Sequence, residues 1–436
     1  MQTFIIIWLG QTVSIIGSSM TAFAFTIWVW ELTHQATALA LFGFFIQVPQ
    51  VLIAPVAGVI VDRWNRKFLM MFGDTVSGLL TIIVSILYTT NNLHLWHLYV
   101  AVAIKGVFEL FQELAYSASI STMLPKQQYS RASSIAFLAS SGSSIIAPAI
   151  AGFLYTIIGL AGILTIDITT FAIAVITVLR VNIPQPIVTE AIIKNRSNIR
   201  QDISFGFRYI AARPSLFAML ALFALFGFAH DIGDSLYSAM ILARTNNNPT
   251  ILGYIASAAG IGGIVGALLM SSWGGFKHRI QGVLLGIIGT GLSKMVFGLG
   301  QTLFILTSAQ FCSSLNYPMI GSSNDAIWLS KVRPDLQGRV FATRSMVQFV
   351  TSAVATLIAG LLADYIFEPA MMPGGTLSPI FGSIFGTSKG AGMALMYVIS
   401  SLSLVIIGLS GYAFRSLRDL ETILPDHDAD NSQQLQ

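Results

Sequence analysis

The sequence predicts an all-α membrane protein of twelve transmembrane helices arranged as two pseudo-symmetric six-helix halves. Composition is the first ground: 54% of the 436 residues are hydrophobic and 10% charged, with a mean hydropathy of +0.75. Ordinary soluble domains carry about 25% charged residues. Second, long apolar runs recur along the chain. Each is long enough to cross about 30 Å of hydrocarbon and too long for the roughly 10-residue strands of a membrane barrel. Inside lipid every backbone amide must be satisfied within its own segment, so such runs form helices. Third, Lys and Arg gather in alternate connections, the mark of a chain threaded repeatedly through a bilayer.

The runs fall near 4–30, 38–61, 68–90, 95–118, 132–157, 162–180, 215–241, 250–273, 281–299, 302–328, 341–366 and 390–414. Polar or turn-forming stretches separate them: Glu31–Gln35, Asn91-Asn92, Pro125–Gln128, Asn246–Pro249 and the Gly/Pro-rich stretch from Pro369 to Gly392. The least marked break is the turn near Gly159 to Gly162. One set of connections holds Arg63, Arg66, Lys67, Lys126, Arg131, the basic residues from Arg180 to Arg213, Lys277, Arg279, those from Lys331 to Arg344, Arg415 and Arg418. The opposite set holds only Arg244 and Lys389. The rich side is expected to be cytoplasmic, with both termini inside, in the cell membrane. This topology also explains the net charge of +4 without an acidic partner or nucleic acid.

Four segments follow: an N-terminal half 1–182, a cytoplasmic linker 183–214, a C-terminal half 215–415 and a polar, acidic tail 416–436. The linker contains Pro184 and Pro186, then a stretch from Asn198 to Ala212 in which Ile199, Ile203, Phe207 and Ile210 form an apolar stripe. An amphipathic helix at the membrane surface is expected there. A faint repeat relates Pro125–Ala132 to Pro334–Val340, about half the chain apart. Such internal duplication is common in transporters that alternate access to a midplane site.

Between the second and third runs, Gly58, Asp62, Arg63, Arg66 and Lys67 crowd charges into a few residues of an oily chain. Each charge would cost roughly 2.5 to 3.5 kcal/mol at a helix centre, so the cluster belongs in a short aqueous loop. The pattern Gly-x-x-x-Asp-Arg-x-x-Arg-Lys resembles the loop signature of the major facilitator superfamily. Ile6–Gln11, Asp167–Phe171, Gln337–Ala342 and Phe367–Gly375 are similar to recurrent pieces of its third drug:proton antiporter branch, the macrolide-efflux and enterobactin-exporter type. The resemblance implies the major facilitator fold, alternating access, and proton-driven export of bulky amphiphiles by a monomer in the lipid bilayer. It implies that the Gly58–Lys67 loop stabilises one transport state. In the fifth run Gly142, Pro148 and Gly152 match the antiporter motif, with Ala147 where that motif has glycine; the fourth run lacks the motif arginine, and Lys105 is out of its spacing.

Ionisable residues inside spans are candidates for function. Lys105, Glu109 and Glu113 follow one another at four-residue steps and share a helix face. They read either as a proton-responsive group, since burial and a nearby lysine pull a carboxyl in opposite directions, or as a neutral pair that sets packing. His230, Asp231 and Asp234 in the seventh run read either as two carboxylates sharing a proton or as a wet polar rim. The resemblance places Asp74, Asp167 and Lys294 on supporting spans, where a structural role is expected. Candidate substrate contacts are Gln11, Gln47, Gln50, Phe226, Tyr254, Asn316, Tyr317 and Gln348: amides and phenols in apolar walls suit amphiphiles. The lone Cys312 reads as a packing residue. No catalytic constellation, metal cluster, cofactor motif or nucleotide-binding signature is found. Rival expectations are a nutrient uniporter or importer, and a transport-inactive receptor or scaffold.

Overall fold

The computed structural model describes residues 2–123, 129–181 and 199–425, and among them it contains only helices and connecting turns. Gly58 and the side chains of Asp62, Arg63 and Arg131 lie outside the described residues, as do Lys126, the linker prolines and the acidic tail from Asp426.

The first half of the chain forms α1 (Gln2–Thr33), α2 (Ala36–Arg63), α3 (Arg66–Thr89), α4 (Leu95–Met123) and α5 (Tyr129–Arg180). The start of α3 is set locally: the Asn65 side chain accepts from the Phe68 N–H at 3.1 Å and satisfies one of the amides that a helix start leaves without a partner. Within α5, 52 residues long, Gly159 has φ 61° and ψ −169°. Only glycine adopts that conformation at little cost, so the turn expected between the fifth and sixth runs is a one-residue break.

The remainder forms α6 (Ile199–Ala211), α7 (Pro214–Arg244), α8 (Pro249–Trp273), α9 (Arg279–Leu299), α10 (Leu303–Leu315), α11 (Tyr317–Lys331), α12 (Pro334–Leu362), α13 (Glu368–Met371), α14 (Ser378–Phe385), α15 (Ala391–Ala413), α16 (Arg415–Arg418) and α17 (Leu420–Ile423). Asn316 separates α10 from α11, and Pro318 cannot donate to a carbonyl one turn back. A π-helical stretch, Ala363–Phe367, joins α12 to α13 just before Pro369. Among the described residues nine helices are long and apolar enough to cross a membrane. The difference from twelve has local reasons. Ser141–Arg180 carries two expected spans, α4 holds three charges, and the tenth span is cut in two at Asn316.

The chain packs as two compact units, Met1–Arg196 with Ile241–Ser257, and Ser197–Met240 with Ala258–Gln436. In the first, α1 lies along α5, Gly10 against Thr177 and Gly17 against Thr170. The end of α7 and the start of α8 belong to this unit: Trp30 Nε1 donates to Asn247 Oδ1 at 2.8 Å, and Ser257 Oγ to the Ile145 carbonyl at 2.6 Å. Here α8 and α5 touch backbone to backbone, because a Cβ on Gly253 would stand 2.5 Å from the Pro148 carbonyl and one on Gly152 2.6 Å from that of Pro249.

In the second unit α9 is the central helix, with Val283, Leu284 and Ile287 fully buried against Leu216, Met219, Trp328 and Leu404. Leu417 and Leu420 extend this core. Lys331 donates to the carbonyls of Glu421 and Leu424, and Glu421 accepts from the Arg279 N–H at 3.1 Å, which holds α16 and α17 in place. Helix α6, expected at the membrane surface, packs on α12 at Thr343, with Arg339 5.4 Å from the Phe205 ring.

Gly253→Leu forces apart two backbones with no flexible side chain between them, and is expected to cost about 1–3 kcal/mol. A lowered melting temperature of the purified protein in detergent is the readout; an unchanged one would show that the approach is not close.

Candidate functional site

A cavity of about 520 Å³ lies inside the first unit. Its walls come from α1, α2, α3, α4 and the sixth-span part of α5, and they include Phe25, Phe42, Tyr116 and Phe171. Five charged residues face it: Asp74, Lys105, Glu109, Glu113 and Asp167. Four carboxylates thus surround one lysine.

The four-residue spacing of Lys105 and Glu109 brings them together on α4, with Nζ 3.6 Å from Oε1. Lys105 also stands 3.9 Å from Asp167 Oδ2 and donates to Ser18 Oγ at 3.5 Å. Asp167 is held on both oxygens, accepting from Ser18 Oγ at 3.1 Å and Thr81 Oγ1 at 3.2 Å. Its side chain is 3% exposed, whereas that of Glu109 is 44% exposed and meets the open cavity. The two carboxylates therefore do different work: Asp167 fixes the lysine, and Glu109 is the one that solvent or a ligand reaches.

A second chain of amides runs beside this pair. Gln112 Nε2 donates to Gln11 Oε1 at 2.6 Å, and Gln11 Nε2 donates to Asp74 Oδ2 at 2.9 Å. Asp74 and Gln11 are almost fully buried. The hydroxyls of Thr21, Ser77 and Tyr116 line the same cavity and have no hydrogen-bond partner among the described residues. Buried hydroxyls of this kind are rare and mark places where a ligand or water completes the bonding.

The other sequence candidates lie elsewhere. Gln47 and Gln348 are exposed, Gln50 packs beside Gly106 of α4, and Tyr254 is half exposed. Asn316 donates to the Cys312 carbonyl at 2.8 Å, and Gly142 has open space around it. Arg66 donates to the Ala118 carbonyl at 2.6 Å, and Lys67 to those of Leu179 and Val181 at 3.1 and 2.6 Å, where it caps the end of α5. Asp325 pairs with Arg344 at 2.9 Å. In the second unit Asp231 contacts His230, whose ring also meets Tyr317 and packs beside Phe226, while Asp234 is exposed. Asp74 and Asp167, expected as structural residues on supporting spans, face the same cavity as the α4 charges. Their being intramembrane carboxylates was the available signal; what hid it was separation in sequence, with Ser18 and Asp167 149 residues apart.

A multi-pass helical membrane protein with a cavity lined by ionisable and hydroxyl side chains inside one of its helical units has the design of a membrane transporter. The chain belongs to the Major Facilitator Superfamily, whose profile matches residues 7–240. Macrolide efflux protein A of Streptococcus pyogenes is 25% identical over 367 residues, covering 83% of this chain and 90% of the relative. The multidrug efflux pump Tap of Mycolicibacterium fortuitum is 24% identical over 366 residues, covering 80% and 86%. These relatives agree with the drug:proton antiporter resemblance of the sequence. Among solved structures, nucleoside transporter NupG superposes with a TM-score of 0.68 at 11% identity, covering 94% of this chain and 98% of its own. A bacterial homologue of the iron transporter ferroportin gives 0.67 at 11%, covering 93% and 98%. At such identities the likeness is one of fold.

Removing one member of a buried ion pair strands the other, at a cost of about 3–5 kcal/mol. Lys105→Met should therefore lower the melting temperature markedly, and Lys105→Met/Asp167→Asn should recover most of the loss. A double variant no more stable than the single one would show that Asp167 is held by its hydroxyl donors alone.

Proposed function

We propose that the protein is a proton-driven exporter of bulky amphiphilic compounds in the cell membrane, working as a monomer with both termini cytoplasmic. The observation that supports this most directly is the single lysine among four carboxylates around the first-unit cavity, in a chain whose relatives are named as efflux proteins. In this reading Glu109 and Glu113 exchange protons, Lys105 and Asp167 set the charge they respond to, and Asp74 with Gln11 and Gln112 orders the wall behind them. Phe25, Phe42 and Phe171 offer apolar surface, and the free hydroxyls of Thr21 and Tyr116 offer polar contacts to substrate. Phe226, Tyr254, Asn316, Tyr317 and Gln348 are the second half's candidates for substrate contact, and Asp231 and Asp234 its candidates for proton exchange.

The halves 1–182 and 215–415 rock about the substrate, linked through 183–214, with 416–436 as a cytoplasmic tail. Substrate enters from the cytosol or inner leaflet and leaves outside as a carboxyl takes up a proton. Gly58, Asp62, Arg63, Arg66 and Lys67 stabilise one state of this cycle. Pro148 and Gly152 lie where the fifth span approaches α8, and Gly142 completes the antiporter motif of that span.

The test is efflux of a panel of macrolides, dyes and siderophores from cells or inverted vesicles, with and without a proton uncoupler. Uncoupler-sensitive efflux is expected, reduced about tenfold in Glu109→Gln. Flux indifferent to the proton gradient would point to a uniporter instead. Asp62→Asn should cut transport while leaving membrane insertion intact, and normal transport by that variant would remove the loop from the mechanism.

A further inference from the structure

The second unit contains a partly buried polar chain that the first-unit cavity does not involve. His230 Nδ1 lies 2.9 Å from Asp231 Oδ1, and its Nε2 lies 2.7 Å from the Tyr317 hydroxyl. The same hydroxyl faces the ammonium of Lys294, which is 2% exposed and also faces Tyr397, with Nζ 5.6 Å from that ring's centroid. The titratable groups facing this chain are Asp231, Asp234 and Tyr237 from α7, Lys294 from α9, Tyr317 from α11 and Tyr397 from α15. These helices are the first, third, fourth and sixth spans of the second half. The first-unit cluster uses the first, third, fourth and sixth spans of its own half, through Ser18, Asp74, Lys105 and Asp167.

We propose that the second half carries a proton-binding site of its own, centred on His230 between Asp231 and Tyr317, with Lys294 as the fixed charge that opposes occupancy. In the neutral ring one nitrogen donates to Asp231 and the other accepts from the Tyr317 O–H. A proton taken from water through the partly exposed Asp231 makes both nitrogens donors. Tyr317 must then turn its O–H away and accept, so that its oxygen faces two cations, His230 and Lys294. Nothing is oxidised or reduced, and one N–H bond forms.

The consequence is mechanical because of where Tyr317 sits. It opens α11 directly after the break at Asn316, and Pro318 follows it. Reversing one hydrogen bond there acts on a backbone that already lacks a full helical ladder. Occupancy of His230 is thereby coupled to the angle between α10 and α11.

The site rests on the exporter reading only for its use in transport, since it is tested without substrate. The full chain, solubilised in detergent with ¹³C-labelled histidine, is titrated by NMR between about pH 5 and pH 11, a window that extends well past the ordinary histidine range. There are six histidines, and His230→Gln identifies the signal by its loss. The His230 signal should titrate, its midpoint should move by about one pH unit or more in Tyr317→Phe, and it should stay in place in Glu109→Gln. Asp231→Asn serves as a second perturbation should Tyr317→Phe fold poorly. A signal constant over the whole range would overturn the site, as would indifference to both nearby substitutions. Equal displacement by Glu109→Gln would show one shared site. A titrating His230 in a protein without efflux would count against the exporter reading alone.

Discussion

Two lysines that cross the hydrocarbon, Lys105 and Lys294, impose the constraint on which each half depends. An ammonium in that environment is tolerated only if its charge and all its donors meet partners. Lys105 meets Asp167, Glu109 and Ser18, which belong to three different spans. Lys294 lies 5.6 Å from the centre of the Tyr397 ring and faces Tyr317, on two others. Satisfying one side chain therefore specifies the mutual placement of several helices, which apolar packing alone leaves loose. Lipid tails are as apolar as leucine, and a helix gains little by exchanging one for the other.

The rest of the packing works around these points. Close approach is supplied by small residues: Gly10 and Gly17 let α1 lie against threonines of α5, and Gly152 and Gly253 bring α5 and α8 into backbone contact. Among the described residues, irregular backbone interrupts expected spans at Gly159, at the Asn316–Pro318 junction and in the π stretch before Pro369. Each is a place where a residue type forbids or weakens the regular ladder. The break at Asn316 lies beside the partly buried His230–Tyr317 contact, where the helical ladder is already interrupted.

The carboxylates divide by exposure rather than by residue type. Asp167, bonded on both oxygens, behaves as part of the scaffold, while Glu109 opens onto the cavity from the other side of the same lysine. A pair of acids in unlike surroundings about one cation is a physical basis for separating a structural charge from an exchangeable one. In the second unit Asp231 contacts His230 and Asp234 is exposed.

Much of the fold was legible in the residues themselves, because bilayer thickness and backbone hydrogen bonding act on each segment separately. The apolar runs marked the helices, Gly159 and the asparagine-rich turns marked their ends, and the i,i+4 spacing brought Lys105 and Glu109 together. The loop pattern from Gly58 to Lys67 indicated the superfamily. The sequence placed Asp231 and Asp234 three residues apart but did not show that Asp231 would contact its neighbour His230. What local pattern did not contain was partnership across spans: Asp74 with Gln11, Asp167 with Ser18 and Thr81, His230 with Tyr317. By itself the sequence determined which segments form long apolar helices and which residues carry charge within them, since those are one-dimensional matters of composition and length. Only the tertiary structure decided which charges meet. A lone polar group in hydrocarbon is satisfied by whatever neighbour the helix packing brings within about 3 Å, and that neighbour can lie anywhere in the chain.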